Sequence, residues 1–118
     1  MALMNSQQPQ KKGEIVGGEA VRLADLVNYQ DGSVVSRTIL KRGAGTLTLF
    51  AFDEGEGLSE HTAAFDAVAH MLEGEAEITI SGKALRAAAG EVVLMPAGQP
   101  HSLKALGRFK MLLTMLRA

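Results

Sequence analysis

Glycine occupies 13 of the 118 positions and cuts most of the chain into segments too short for ordinary helices. "SVVSRTILKRG", "GTLTLFAFDEGEG", "DAVAHMLEG", "EAEITI", "KALRAAAG", "EVVLMPAG", "HSLKALG" and "RFKMLLTMLR" follow one another. The first is rich in β-branched residues, and the second alternates Thr46 and Thr48 with Leu47 and Leu49. Period-two alternation bounded by turn residues marks a half-buried strand. Ser81–Gly82 separates two such runs, and glycine's tolerance of positive φ suits a hairpin turn there. Turn chemistry recurring every ~8–12 residues argues for an antiparallel sandwich or barrel. The expected fold is all-β, with about eight or nine antiparallel strands. "AVRLADLVNY" competes as helix through the spacing of Leu23, Leu26 and Val27, and one short helical turn is expected there. "KALRAAAG" is alanine-rich, but its brevity and its place after a hairpin turn favour a strand.

The bulk numbers close off several functions. Twelve basic residues face thirteen acidic ones, for a net charge of −1 without a long run of either sign. That distribution builds no footprint for nucleic acid. Cysteine is absent, which removes disulfides, thiolate nucleophiles and Cys-ligated zinc, and suits a reducing compartment. "MALMNSQQPQKKGE" lacks the apolar core of a signal peptide. No stretch approaches the roughly 18 apolar residues of a membrane helix. The expectation is a soluble cytoplasmic protein, with a disordered polar tail over residues 1–14 and one domain over 15–118. No P-loop, dinucleotide fingerprint or nucleophile elbow occurs. Glu73, Glu75 and Glu77 read as the solvated rim of a hairpin, and the methionines as core filler.

Two segments are apolar on both faces. In "AVAHMLEG", Ala67, Ala69 and Met71 oppose Val68, His70 and Leu72; in "KMLLTML", Met111, Leu113 and Met115 oppose Leu112, Thr114 and Leu116. An antiparallel strand with one face in water ordinarily alternates apolar with polar, so these outer faces need a cover. A second copy of the chain is the simplest one, giving a homodimer; the N-terminal segment of the same chain is the other. His70 shares the outward parity and reads as a satisfied histidine at that interface rather than a ligand.

The spacing of glycine, proline and histidine resembles the cupin family. Its first motif runs G-x5-H-x-H-x3-E-x6-G, and Gly55, His61 and Gly74 fall in register with it. Its second runs G-x5-P-x-G-x2-H-x3-N, matched by Gly90, Pro96, Gly98 and His101. The two motifs span residues 55 to 105 in the expected order, and the flanking pattern is similar to that of small, single-domain bacterial cupins that form dimers. The resemblance implies an RmlC-like jelly-roll barrel, a double-stranded β-helix.

Position by position, the family's metal ligands correspond here to His61, Ala63, Ala67 and His101, and the closing asparagine to Ala105. Half of the implied ligand set is alanine. Two neutral imidazoles give a dication neither a third donor nor a compensating negative charge. Asp66 lies one residue from the glutamate position and is the nearest candidate for a third ligand. Three readings of His61 and His101 stay open: a weak site for a divalent ion (nickel, zinc, iron, manganese or copper), polar groups at the mouth of a ligand pocket, or hydrogen-bonded remnants of a lost site. The expected pocket is lined by His61, Ala63, Ala67, Ala69, Met71, His101 and Leu103. The favoured function is small-molecule binding without catalysis. The alternative is a metal-dependent enzyme, of dioxygenase or isomerase type, that uses His61 and His101. An interaction module with an occluded pocket is the third reading.

Overall fold

The computed structural model describes residues 13–117. Nine strands form in chain order: β1 (Val34–Arg42), β2 (Gly45–Phe52), β3 (Gly57–His61), β4 (Asp66–Glu73), β5 (Glu75–Ile80), β6 (Lys83–Ala88), β7 (Val92–Met95), β8 (His101–Ala105) and β9 (Phe109–Leu116). One 3-10 turn, Leu23–Leu26, precedes them, where the sequence predicts a single helical turn. "KALRAAAG" supplies strand β6, as its brevity predicts. The Ser81–Gly82 turn has positive φ at both residues, 49° and 81°, which is the backbone that matches the twist of two paired strands.

The strands build two antiparallel sheets, ordered β1-β2-β9-β4-β7 and β3-β8-β5-β6. The chain passes from one sheet to the other at nearly every connection, giving a jelly roll. Two crossings meet at Gly74, whose φ is +77° and where a Cβ would collide with the Arg108 carbonyl oxygen and the Phe109 Cα. Only glycine provides both the left-handed backbone and the clearance.

Side chains of alternate parity fill the space between the sheets. Phe52 and Phe109 stack with ring centroids 4.3 Å apart and close one end of the barrel. Ala69, Met71, Ala76, Ile78, Met95 and Met111 continue the core above them.

The outer face of the five-stranded sheet has a partial cover within the chain. Val27 is buried with Ile39, Leu49 and Ala51, and Leu23, Leu26 and Tyr29 pack on the same cluster together with Leu72 and Leu112. The segment 15–29 therefore covers the β1–β2–β9 side, the intrachain alternative, while β7 is left with Val92 and Leu94 62% and 55% exposed. Polar contacts fasten the segment. Lys110 donates to the Ala24 carbonyl oxygen at 2.6 Å, and the Tyr29 hydroxyl donates to Glu73 at 2.6 Å. Glu73 thus leaves the solvated rim assigned to it: it faces Tyr29 and, at 3.8 Å, Lys110. Residues 1–12 of the expected tail lie outside the described residues. Within its last two positions, the Gly13 carbonyl accepts from Arg37 and the Glu14 carboxylate from Arg42 and the Lys41 amide.

Candidate functional site

His61 ends β3 and His101 opens β8, and the two are direct partners across the ladder, with Ile80 of β5 next in the same row. Their rings meet edge to face, with centroids 4.4 Å apart. The Nδ1 of His61 lies 2.9 Å from the Ser59 carbonyl oxygen, and that of His101 lies 3.2 Å from the Gln99 carbonyl oxygen. A carbonyl can only accept, so both Nδ1 atoms carry the proton. In the neutral ring the lone pair then sits on Nε2.

His61 is exposed and His101 is 4% exposed. The Nε2 of His101 has no partner among the described residues, yet no buried side-chain nitrogen among them is left unpaired, so that atom touches a surface that solvent reaches. Two loops carry the pair. Gly98 of the loop before His101 donates its amide to the Ala63 carbonyl oxygen at 2.9 Å. Ala97 of the same loop donates to Asp66 Oδ1 at 2.8 Å.

Asp66 therefore anchors the loop that delivers His101. It is not brought to the imidazoles, and no group of three or more His, Asp or Glu side chains that could hold a metal ion forms among the described residues. The donor set of this end is two imidazoles, which does not fit a divalent ion in a closed or catalytic centre. Ala63 is half-buried, while Ala67 of β4 and Leu103, two residues along β8 from His101, are each 4% exposed. Ala69 and Met71, expected as pocket lining, are sealed in the core beneath. His70 points outward as its parity predicts, in register with Leu112 and Val92.

The strongly displaced protonation equilibria lie at the opposite end of the barrel. The Gly32 amide and then the Arg108 guanidinium hold the Asp53 carboxyl down at about 2. Burial, with Glu73 beside it, pushes the Tyr29 phenol above its ordinary value. Tyr29 belongs to the fastening of segment 15–29 and Asp53 to the turn that leads into β1, and neither to the histidine end. Two residues of the histidine end are not singled out by the sequence: Phe65, 40% exposed, and Arg117, whose guanidinium carbon lies 5.9 Å from the Phe65 ring centroid. Their signal is strand parity, since they stand two residues beyond Ala67 and Met115.

The cupin domain family model matches residues 48–116. The chain is a cupin. A conserved protein of unknown function from Streptococcus pyogenes is 32% identical, with a TM-score of 0.86, over 96% of this chain and 98% of that one. A cupin superfamily protein from Desulfitobacterium hafniense is 28% identical, with a TM-score of 0.84, over 93% and 100% of the two chains. A cupin 2 conserved barrel domain protein from Leptotrichia buccalis is 34% identical over 80% of this chain and 46% of its own, with a TM-score of 0.77. No curated protein matches the chain. The jelly roll expected from the motifs is thus the fold of this cupin, and no helix among its described residues is long and apolar enough to cross a membrane.

Proposed function

We propose that this cupin binds a small molecule at the open end of its barrel, without a resident metal ion and without catalysis, and that it works as a homodimer. One observation carries the reading: two adjacent imidazoles, each fixed through Nδ1 to a backbone carbonyl, leave Nε2 without a partner among the described residues, while alanines occupy positions 63 and 67, which the family fills with further ligands. Replacing an imidazole and a carboxylate by methyl groups removes the donors and the charge that a dication needs. The same change leaves volume and two oriented hydrogen-bond acceptors for an organic guest.

The test is elemental analysis of untagged protein, before and after incubation with iron, zinc, nickel, manganese and copper salts, paired with a ligand screen read by NMR at the histidine rings. The expected result is metal well below one equivalent and perturbation of His61 and His101 by small organic compounds. Near-stoichiometric metal that vanishes in a His61→Ala, His101→Ala double variant would replace this reading with the metal-dependent enzyme.

The homodimer rests on the side of the five-stranded sheet that segment 15–29 does not cover. Val92 and Leu94 of β7 are exposed next to Val68 and His70 of β4, with which they are in register. A contiguous apolar strip on a small domain is ordinarily an interface, and a two-fold pairing would set this face against its own copy.

A further inference from the structure

Arg117 extends β9 by one residue beyond its last assigned position: its amide donates to the Ala44 carbonyl oxygen at 2.8 Å, continuing the Gly45–Leu116 register. Side chains of a strand alternate between faces. Arg117 therefore stands on the side of Met115, Leu113 and Met111, the last of which is sealed in the core. Phe65 precedes Asp66, the partner of Leu116, so it stands opposite Arg117 on that same inward side. The 5.9 Å contact between guanidinium and ring agrees with this placement.

These two residues stand at the end of the barrel to which the loops bearing the histidines lead. Ala67 lies opposite both Met115 and Met95 across its two ladders. The loop joining His61 to Asp66 contains Phe65 and is tied through Ala63 to the loop that carries His101. One end of the barrel thus gathers a cation, an aromatic face, thioether and methyl surface, and two imidazole acceptors. The cation is the notable member. Arg42, Arg86 and Arg108 each face a carboxylate; Arg117, like Arg22 and Arg37, faces none among the described residues, and unlike Arg37 it spends no guanidinium N–H on a backbone carbonyl.

From this the geometry points to a small hydroxycarboxylic acid as the ligand class. Its carboxylate takes the Arg117 guanidinium, in the forked pairing that arginine favours. Its hydrocarbon body lies along Phe65, Met115 and Ala67. Its hydroxyl donates to the Nε2 of His61 or His101, which in the neutral ring can only accept. A site with an anion receptor at the rim and acceptors inside rejects an amide at one end and a deoxy analogue at the other. This inference rests on the binding reading proposed above and names the chemistry of its guest.

The experiment is calorimetric titration of the full chain with 2-hydroxyisovalerate, 4-hydroxybenzoate and gluconate, each beside its amide and, for the first two, its deoxy analogue. Arg117→Gln, Phe65→Ala and His101→Gln are titrated in parallel, with thermal melts to confirm folding. At least one acid is expected to bind and to lose tenfold or more in affinity as its amide or against Arg117→Gln. The loss should be smaller against Phe65→Ala, and the deoxy analogue should not distinguish His101→Gln from the parent. An amide that binds as well as its acid, an Arg117→Gln variant of unchanged affinity, or a panel in which no acid binds overturns the inference. The first two outcomes leave the binding function standing. That function fails separately, when neutral compounds also leave the histidine resonances unmoved or metal occupies the pair.

Discussion

Glycines at family positions do unequal work here. Gly90 has a φ of +90° but open space where a side chain would go, whereas Gly74 has a φ of +77° and the Arg108 carbonyl oxygen with the Phe109 Cα and Cβ where a Cβ would stand. Asparagine tolerates the left-handed region. Gly90→Asn should therefore cost about 1 kcal/mol or less. Gly74→Asn should cost about 2–4 kcal/mol, because strain and overpacking add. Chemical denaturation of the two variants separates the effects; equal losses would mean that φ alone governs both sites. Asp53 carries a charge with a defined pH window. Its carboxyl is held at about 2 by the Gly32 amide and Arg108, against an ordinary 3.8. A depressed folded-state value stabilises the fold above the unfolded value and is lost as pH falls through the folded one. The stability gap between the parent and Asp53→Asn should thus be constant from pH 5 to 8, shrink below about pH 4 and close near pH 2. Denaturant midpoints along that series measure it, and a gap that persists at pH 2 would assign the effect to shape instead of charge.

The segment before β1 behaves as a strap, and a buried ammonium is one of its fastenings. Lys110 is 8% exposed, 2.6 Å from the Ala24 carbonyl oxygen, 3.8 Å from Glu73 and 5.0 Å from the Tyr29 ring centroid. Lys110→Met keeps most of the stem's apolar packing and deletes the charge, so its cost isolates the fastening, at about 1–3 kcal/mol for a hydrogen bond from a charged group. Amide exchange should quicken over residues 22–29 and stay unchanged in the β5–β6 hairpin; a uniform rise across the barrel would show that Lys110 supports the whole core instead. Strand β6 and the Ser81–Gly82 turn can be read from sequence because alternation and turn chemistry are local properties. The strap cannot, because Lys110 and Ala24 are 86 residues apart, and nothing near either predicts the other. The same division runs through the site. Motif spacing finds His61 and His101 because each sits at a fixed offset from turn glycines. The loop-anchoring contact of Asp66 is not legible in the sequence, because its partner, the Ala97 amide, comes from a loop 31 residues away. Phe65 and Arg117 meet only across the β4–β9 ladder, which no single segment encodes.

Half of the outer face of the five-stranded sheet is closed by the chain itself, and this limits where a second copy can dock. Leu49 and Ala51 are already buried beneath Val27 of the strap, so the proposed dimer would use the β4–β7 side of this sheet, where Val92, Leu94, Val68 and His70 lie in adjacent register. Leu116, 49% exposed, marks the edge of the same strip near the open end of the barrel. Placing a charge there asks an interface to desolvate it, at several kcal/mol when no counter-charge is provided. On a monomer the same charge meets only water and costs little. Val92→Asp with Leu94→Asp should therefore convert a dimer to a monomer in sedimentation velocity at micromolar concentration while leaving the monomer folded. Substituting Val16→Asp, 52% exposed and next to Ile15, which pairs with Ile39 of β1 on the far side of the sheet, should leave the mass unchanged. A parent chain that sediments as a monomer, or a double variant that remains a dimer, would remove this face as the interface. Because the strip approaches the rim that holds Arg117, loss of the dimer without loss of ligand affinity would also establish that each barrel binds on its own.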